Sequence, residues 1–163
     1  MLPYNRPLGL RMETLDGPDF DLAKMRGKIV LINIFATWCG PCRSETPAIV
    51  EMAHAFAASG VAVIGMNYYE PDNTVRDFRK KYGIDYPIAM DRDGGFTVSL
   101  EAGRSNAELA VPVSLFVRRD GYLACYSWGA RTVDALAWQL GRMLDDEPPV
   151  GAAATAGPSS AAK

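Results

Sequence analysis

The chain has 163 residues and a formal net charge of −2, a length that favours one domain with a sizeable core. The balanced charge offers nothing to a nucleic acid or other polyanion, and three cysteines are too few for a disulfide-stapled scaffold. No apolar run approaches the ~18 residues of a membrane-spanning helix, and MLPYNRPLGL lacks the apolar core of a signal peptide. The expectation is therefore a cytosolic protein, or one from which a signal or anchor has been removed.

Met1 to Pro7, with two prolines and no periodicity, reads as irregular. Leu8 to Leu15 and Asp19 to Leu22, split by Asp16-Gly17-Pro18, read as a short hairpin. Leu22 to Met25 reads as one helical turn. Ile29 to Phe35 is an apolar run of the kind that forms a strand buried on both faces. It leads into Trp38-Cys39-Gly40-Pro41-Cys42 and then a helix from about Pro41 to Ala58, with Ile49, Met52, Ala53 and Phe56 on its apolar face. Gly60 ends that helix.

Val61 to Asn67 reads as a second buried strand. Asp72-Asn73 is expected to cap a helix from Thr74 to Tyr82, with Val75, Phe78 and Tyr82 inward and Gly83 closing it. Pro87 to Met90 suits a short strand and Phe96 to Ala102 a short helix. Val113 to Arg118 and Tyr122 to Trp128 flank Arg119-Asp120-Gly121, a hairpin signal. Thr132 can cap a last helix through Leu144 along Leu136, Leu140 and Met143. Residues 1–146 thus form the expected domain, and 147–163, rich in Ala, Gly, Pro and Ser, an expected disordered tail. The order implies an α/β fold, a central mixed β-sheet flanked by helices.

A buried strand running into Cys-x-x-Cys at a helix start is the arrangement of a redox-active dithiol. Pro41 suits the first helical turn, because it has a fixed φ and no N–H to satisfy. Cys39 then stands at the helix entrance and Cys42 in the first turn. The free N–H groups and positive helix end favour a thiolate at Cys39 by about 0.3–1 kcal/mol, up to ~2 in good geometry. Cys39 is the expected attacking sulfur, and Cys42 the one that resolves the mixed disulfide and leaves Cys39–Cys42 oxidised.

Trp38-Cys39-Gly40-Pro41-Cys42, with Pro47 five residues on as a helix-kinking proline, resembles the thioredoxin active site. Gly27-Lys28, Asn33, Phe35, Thr37 and Glu45-Thr46-Pro47 are more similar to the TlpA/ResA/CcmG branch, exported thioredoxin-like thiol–disulfide oxidoreductases of bacteria. The resemblance covers roughly Leu10 to Asp145. It implies a thioredoxin fold with an N-terminal hairpin and a central strand–helix insertion within Asn67 to Met90, and it favours a periplasmic or extracytoplasmic location, possible tethering through a removed segment included, over a cytoplasmic one. It also implies a cis Pro112 beside the dithiol, with the Val111 backbone able to pair with an extended substrate segment.

Asn33 occupies the position where thioredoxin carries a proton-accepting aspartate, and the resemblance gives that work to a glutamate placed like Glu70. Glu70 is thus the expected proton acceptor for Cys42, set against the commoner fate of a solvated loop acid. Trp38 is expected to shield the sulfurs and offer contact surface. Cys125 reads as a small buried residue, His54 as structural, and Arg76, Arg79, Lys80 and Lys81 as a solvated helix face.

The leading function is thiol–disulfide exchange with protein dithiols or disulfides, re-reduced by an upstream thiol donor, of the type serving cytochrome c maturation or copper-site assembly. No cofactor beyond the Cys39–Cys42 disulfide, no metal and a monomer are expected. The alternative is a Cu(I)- or Zn-handling protein using the two thiolates, weakened by the lack of a histidine near them. A peroxidase is disfavoured because Thr37 stands too close to the cysteine, and Cys42 already supplies a resolving partner.

Overall fold

The computed structural model describes residues 2–101 and 111–146, with side chains described from residue 8 to 100 and 111 to 146. The expected tail, 147–163, lies outside them. The elements in order are β1 (Leu2–Pro7), β2 (Arg11–Met12), β3 (Phe20–Asp21), a 3-10 turn (Leu22–Met25), β4 (Ile29–Phe35), α1 (Gly40–Ala55), β5 (Val61–Tyr68), α2 (Asp72–Tyr82), β6 (Ile88–Asp91), α3 (Gly95–Glu101), β7 (Val113–Val117), β8 (Tyr122–Trp128) and α4 (Val133–Asp146).

Six strands form one mixed sheet in the order β1-β8-β7-β4-β5-β6. β4, β5 and β6 run parallel, and β7, β8 and β1 pair antiparallel. All seven residues of β4 are buried, as a strand covered on both faces must be. Alternate residues serve alternate faces. Ile29, Leu31 and Phe35 pack with Ile49 and Met52 of α1, Val75 and Phe78 of α2 and Leu136 and Leu140 of α4. Val30, Ile32 and Ile34 pack on the other side with Leu10, Phe20 and Leu22, joined by Phe96 and Leu100 of α3. The N-terminal hairpin is thus a lid of two very short strands, β2 and β3, paired only with each other.

Three expectations change. Residues 2–7 are not irregular but form the edge strand β1 on β8, with a register shift between Pro3 and Arg6. Prolines remove ladder donors and fit a sheet only at an edge or irregularity, which is why the segment carries no strand pattern. α2 begins at Asp72, with no side-chain cap at Pro71. Asp72 is spent instead on Arg92, at 2.7 Å, and Arg76, at 3.6 Å. Arg76 and Arg79 are not simply solvated. They hold Asp16 of the hairpin turn at 2.9 and 3.1 Å. The other boundaries fall within a few residues of expectation. Gly60 and Gly83 close their helical segments in the left-handed region, and the Thr132 hydroxyl accepts from the Ala135 N–H at 3.3 Å.

Candidate active site

The buried strand β4 delivers the chain to the mouth of α1. Cys39 takes the N-cap position in an extended conformation, and its Sγ accepts the Cys42 N–H at 3.1 Å. Pro41 sits in the first turn, where a missing N–H costs nothing. The two sulfurs are joined as a disulfide with Cα atoms 5.2 Å apart. Cys39 keeps 5% exposure and Cys42 1%, so Cys39 is the outer sulfur. Pro47 lies inside α1 without ending it.

The facing wall is the entry to β7. The Val111–Pro112 peptide is cis, as expected. Val111 O stands 3.4 Å from Cys39 Sγ, so this backbone and the outer sulfur share one surface. The Gly129 N–H donates to Pro112 O at 2.9 Å and holds the turn from the β8 side.

Behind the sulfurs lies a buried polar set. Asn33 projects from the centre of β4. Its amide donates to Glu45 Oε2 at 3.0 Å and to Ser114 Oγ at 3.3 Å. Glu45, one helical turn after Cys42, is 2% exposed. Its Oε1 accepts the Arg131 N–H at 2.8 Å. Burial pushes the Glu45 carboxyl above its ordinary value, opposed by the Arg131 N–H, the Asn33 amide and the Arg131 charge. The sequence places Asn33 and Cys42 but by itself gives Glu45 no role. The available signal was its spacing: residues i and i+3 on a helix share a face.

Glu70 reaches the site differently from expectation. Its carboxylate accepts from the Thr37 N–H at 2.8 Å, from the Thr37 hydroxyl and from the Asn67 amide at 2.7 Å. Among the described residues no hydrogen bond joins it to either sulfur. It ties the end of β5 to the residue before Trp38. Tyr69, just ahead of it, is the one described non-glycine residue with positive φ, 49°. Trp38 is 60% exposed and Tyr69 65%, so Trp38 presents surface more than it shields sulfur.

The other candidates fall elsewhere. Cys125 is buried in β8, and burial pushes its thiol up to about 11. His54 pairs with Asp85 at 2.7 Å on an exposed face of α1. Among the described residues no cluster of three or more His, Cys, Asp or Glu side chains could hold a metal, and no helix is long and apolar enough to cross a membrane.

A mixed sheet whose central strand leads into Cys-x-x-Cys at a helix mouth, opposite a cis-proline turn, defines a thiol–disulfide oxidoreductase of the thioredoxin-like class. The chain belongs to the AhpC/TSA family, whose profile matches residues 8–125. It is 30% identical over 122 residues to the thiol-disulfide oxidoreductase ResA of Bacillus thuringiensis subsp. konkukian, covering 75% of this chain and 67% of that one. A thiol:disulfide interchange protein of the thioredoxin family from Chlorobium tepidum has a similar structure, with a TM-score of 0.75 and 27% identity over 88% of this chain and 98% of that one. A secreted Mycobacterium tuberculosis disulfide oxidoreductase, at 23% identity over 82% and 96% of the two chains, shares the fold with a TM-score of 0.69.

Proposed function

We propose that this oxidoreductase reduces disulfides in protein substrates outside the cytoplasm, in work of the cytochrome c maturation or copper-site assembly type, and is itself re-reduced by a thiol donor. The observation that carries this reading is the outer sulfur, Cys39, at a helix mouth and 3.4 Å from the Val111 carbonyl. An attacking thiolate needs the first feature, and an extended polypeptide needs a backbone edge like the second. The extracytoplasmic location is supported by the likeness to the ResA protein and by the TlpA-type motif.

In the reduced chain Cys39 attacks one sulfur of a substrate disulfide. A Cys39–substrate disulfide forms, and the other substrate sulfur leaves as a thiolate that takes a proton from water. Cys42 then gives up its proton and attacks Cys39 Sγ. The Cys39–Cys42 bond forms, the second substrate sulfur leaves, and two electrons have passed to the substrate. The oxidised Cys39–Cys42 pair is the product of this cycle. Gly40 and Pro41 keep the helix mouth open, Trp38, Val111 and Pro112 contact substrate, and the two electrons pass through the two sulfurs alone. The reading keeps the monomer expected from sequence.

The proton from Cys42 is assigned to Glu45 rather than Glu70. Glu45 is buried one turn away on the same helix, and burial favours its protonated form. Glu70 is only partly buried and lies just past the end of β5, where its oxygens tie Thr37 to Asn67, which makes it a positioning residue for the loop that carries Trp38. Asn33 orients Glu45 from the sheet side.

Reduction of a model protein disulfide by the wild type, Cys39→Ser and Cys42→Ser tests the cycle. Cys42→Ser should accumulate a substrate-linked disulfide and Cys39→Ser should be inert. A Cys39→Ser protein that keeps the wild-type rate would end the proposal.

A further inference from the structure

Tyr69, just past the end of β5, takes a backbone conformation that few bulky residues adopt. Strain of this kind persists only where surrounding bonds enforce it, and here they do. The Tyr69 N–H donates to Asp91 O at 3.1 Å, and the next residue, Glu70, is fixed by Thr37 and Asn67. Asp91 is itself anchored, since its carboxylate accepts the Thr97 N–H at 2.8 Å. The Tyr68 ring packs so close to Gly94 that a Cβ there would meet it at 2.6 Å. The outcome is an aromatic side chain left 65% exposed, whose ring meets Tyr68 at 6.3 Å between centroids.

Its placement explains the arrangement. β4 and β5 are parallel, and Phe35 lies beside Asn67 in the ladder. The chain segments leaving the two strands therefore run side by side, and the Thr37–Glu70 bonds join them. Tyr69 and Trp38 flank that junction, each one residue away from it. Two of the four large exposed hydrophobic side chains among the described residues thus share the rim next to Cys39. Residues 37–41 and 68–71 hold one charged side chain between them, Glu70, and its oxygens are taken.

We propose that Tyr69 is a specificity-determining residue: with Trp38 it forms an uncharged aromatic rim that selects polypeptide disulfides whose cysteines are flanked by apolar or aromatic residues. The inference rests on the oxidoreductase reading and deepens it. An extended substrate segment aligned on the Val111 backbone exposes side chains to both sides, and those facing this rim meet the two rings. Apolar neighbours bury ring surface there, whereas charged neighbours lose water against rings that carry no counter-charge.

The test compares second-order rates of reduction for two cystine peptides of equal length, one with Leu and Phe beside its cysteines, the other with Ser and Asp. Tyr69→Asn removes the ring but tolerates positive φ, and Tyr69→Phe keeps the ring. The readout is the ratio of the two rates, which does not depend on how much of a preparation is folded. Wild type should prefer the apolar peptide by about tenfold. Tyr69→Asn should lower that ratio about fivefold, the scale of one aromatic contact, and Tyr69→Phe should keep it. A ratio near one in the wild type, or an unchanged ratio in Tyr69→Asn, overturns the rim while leaving the oxidoreductase intact. Failure of the wild type to reduce either peptide, or a model protein disulfide, overturns both.

Discussion

Glu45 places a carboxyl in the interior one helical turn after Cys42, and its surroundings decide how it couples stability to pH. Because burial raises its pKa in the folded state, the native protein retains a proton that the unfolded chain has released. Stability therefore falls as pH rises above the ordinary glutamate value of 4.5 towards the raised native one. Glu45→Gln should remove this component. Its carbonyl can still accept the Arg131 N–H, and a turned Asn33 amide can accept from its NH2 group, so the fold is expected to survive. Urea midpoints measured from pH 4 to 8 should show the variant gaining on the wild type as pH rises. A constant difference would show that Glu45 does not titrate in this range. The cysteines and Asn33 were legible in the sequence because spacing alone puts them at a helix mouth and in a buried strand. Glu45 was not, because a glutamate in the second turn of a helix carries no mark of burial until β4 and the β8–α4 connection close over it. Glu70 was drawn to the right neighbourhood, but sequence cannot say that Thr37 and Asn67 would take both its oxygens.

Among the elements, the hairpin β2–β3 shows how little a two-residue ladder can do alone. It is held to β6 by the Leu15 N–H to Ile88 O and Met90 N–H to Glu13 O bonds, at 2.8 and 2.9 Å, and by side chains: Phe20 and Leu22 enter the core, Asp16 takes Arg76 and Arg79, and Glu13 takes Arg92 at 2.8 Å. These charges are about half exposed, so salt screens them. Asp16→Asn should cost about 0.5–1 kcal/mol at low salt and less at high salt, read as a shift in denaturation midpoint. A salt-independent loss would point to packing instead. The hairpin's existence was readable from Asp16-Gly17-Pro18. Its fastening was not, because Asp16 lies 60 positions before Arg76, and a row of basic residues on a helix looks the same whether solvated or paired. β1 was missed for the opposite reason. Its prolines argue against a strand everywhere except at an edge, and a sequence does not announce which of its segments will be the edge.

At the scale of the whole molecule, a single seven-residue strand supports both cores. Leu31 is fully buried on the face shared with α1, α2 and α4. Leu31→Ala should destabilise by about 2–5 kcal/mol, measurable by chemical denaturation of the oxidised protein. A loss under about 1 kcal/mol, well below that range, would mean that the face shared with α1, α2 and α4 is not anchored on β4. The general plan was legible because apolar runs of strand length alternated with helix-period segments. Direction of travel did the rest: β4, β5 and β6 run parallel, and β7 returns alongside.

That shared direction has a practical corollary. The reactive edge is stitched from short stretches, 36–41, 69–71 and 111–112, each hung from the end of its own buried strand. Exchanging only their exposed residues, Trp38, Gly40, Pro41 and Tyr69, leaves the buried Ala36, Cys39 and Pro112 in place, so selectivity can be altered here without recutting the interior.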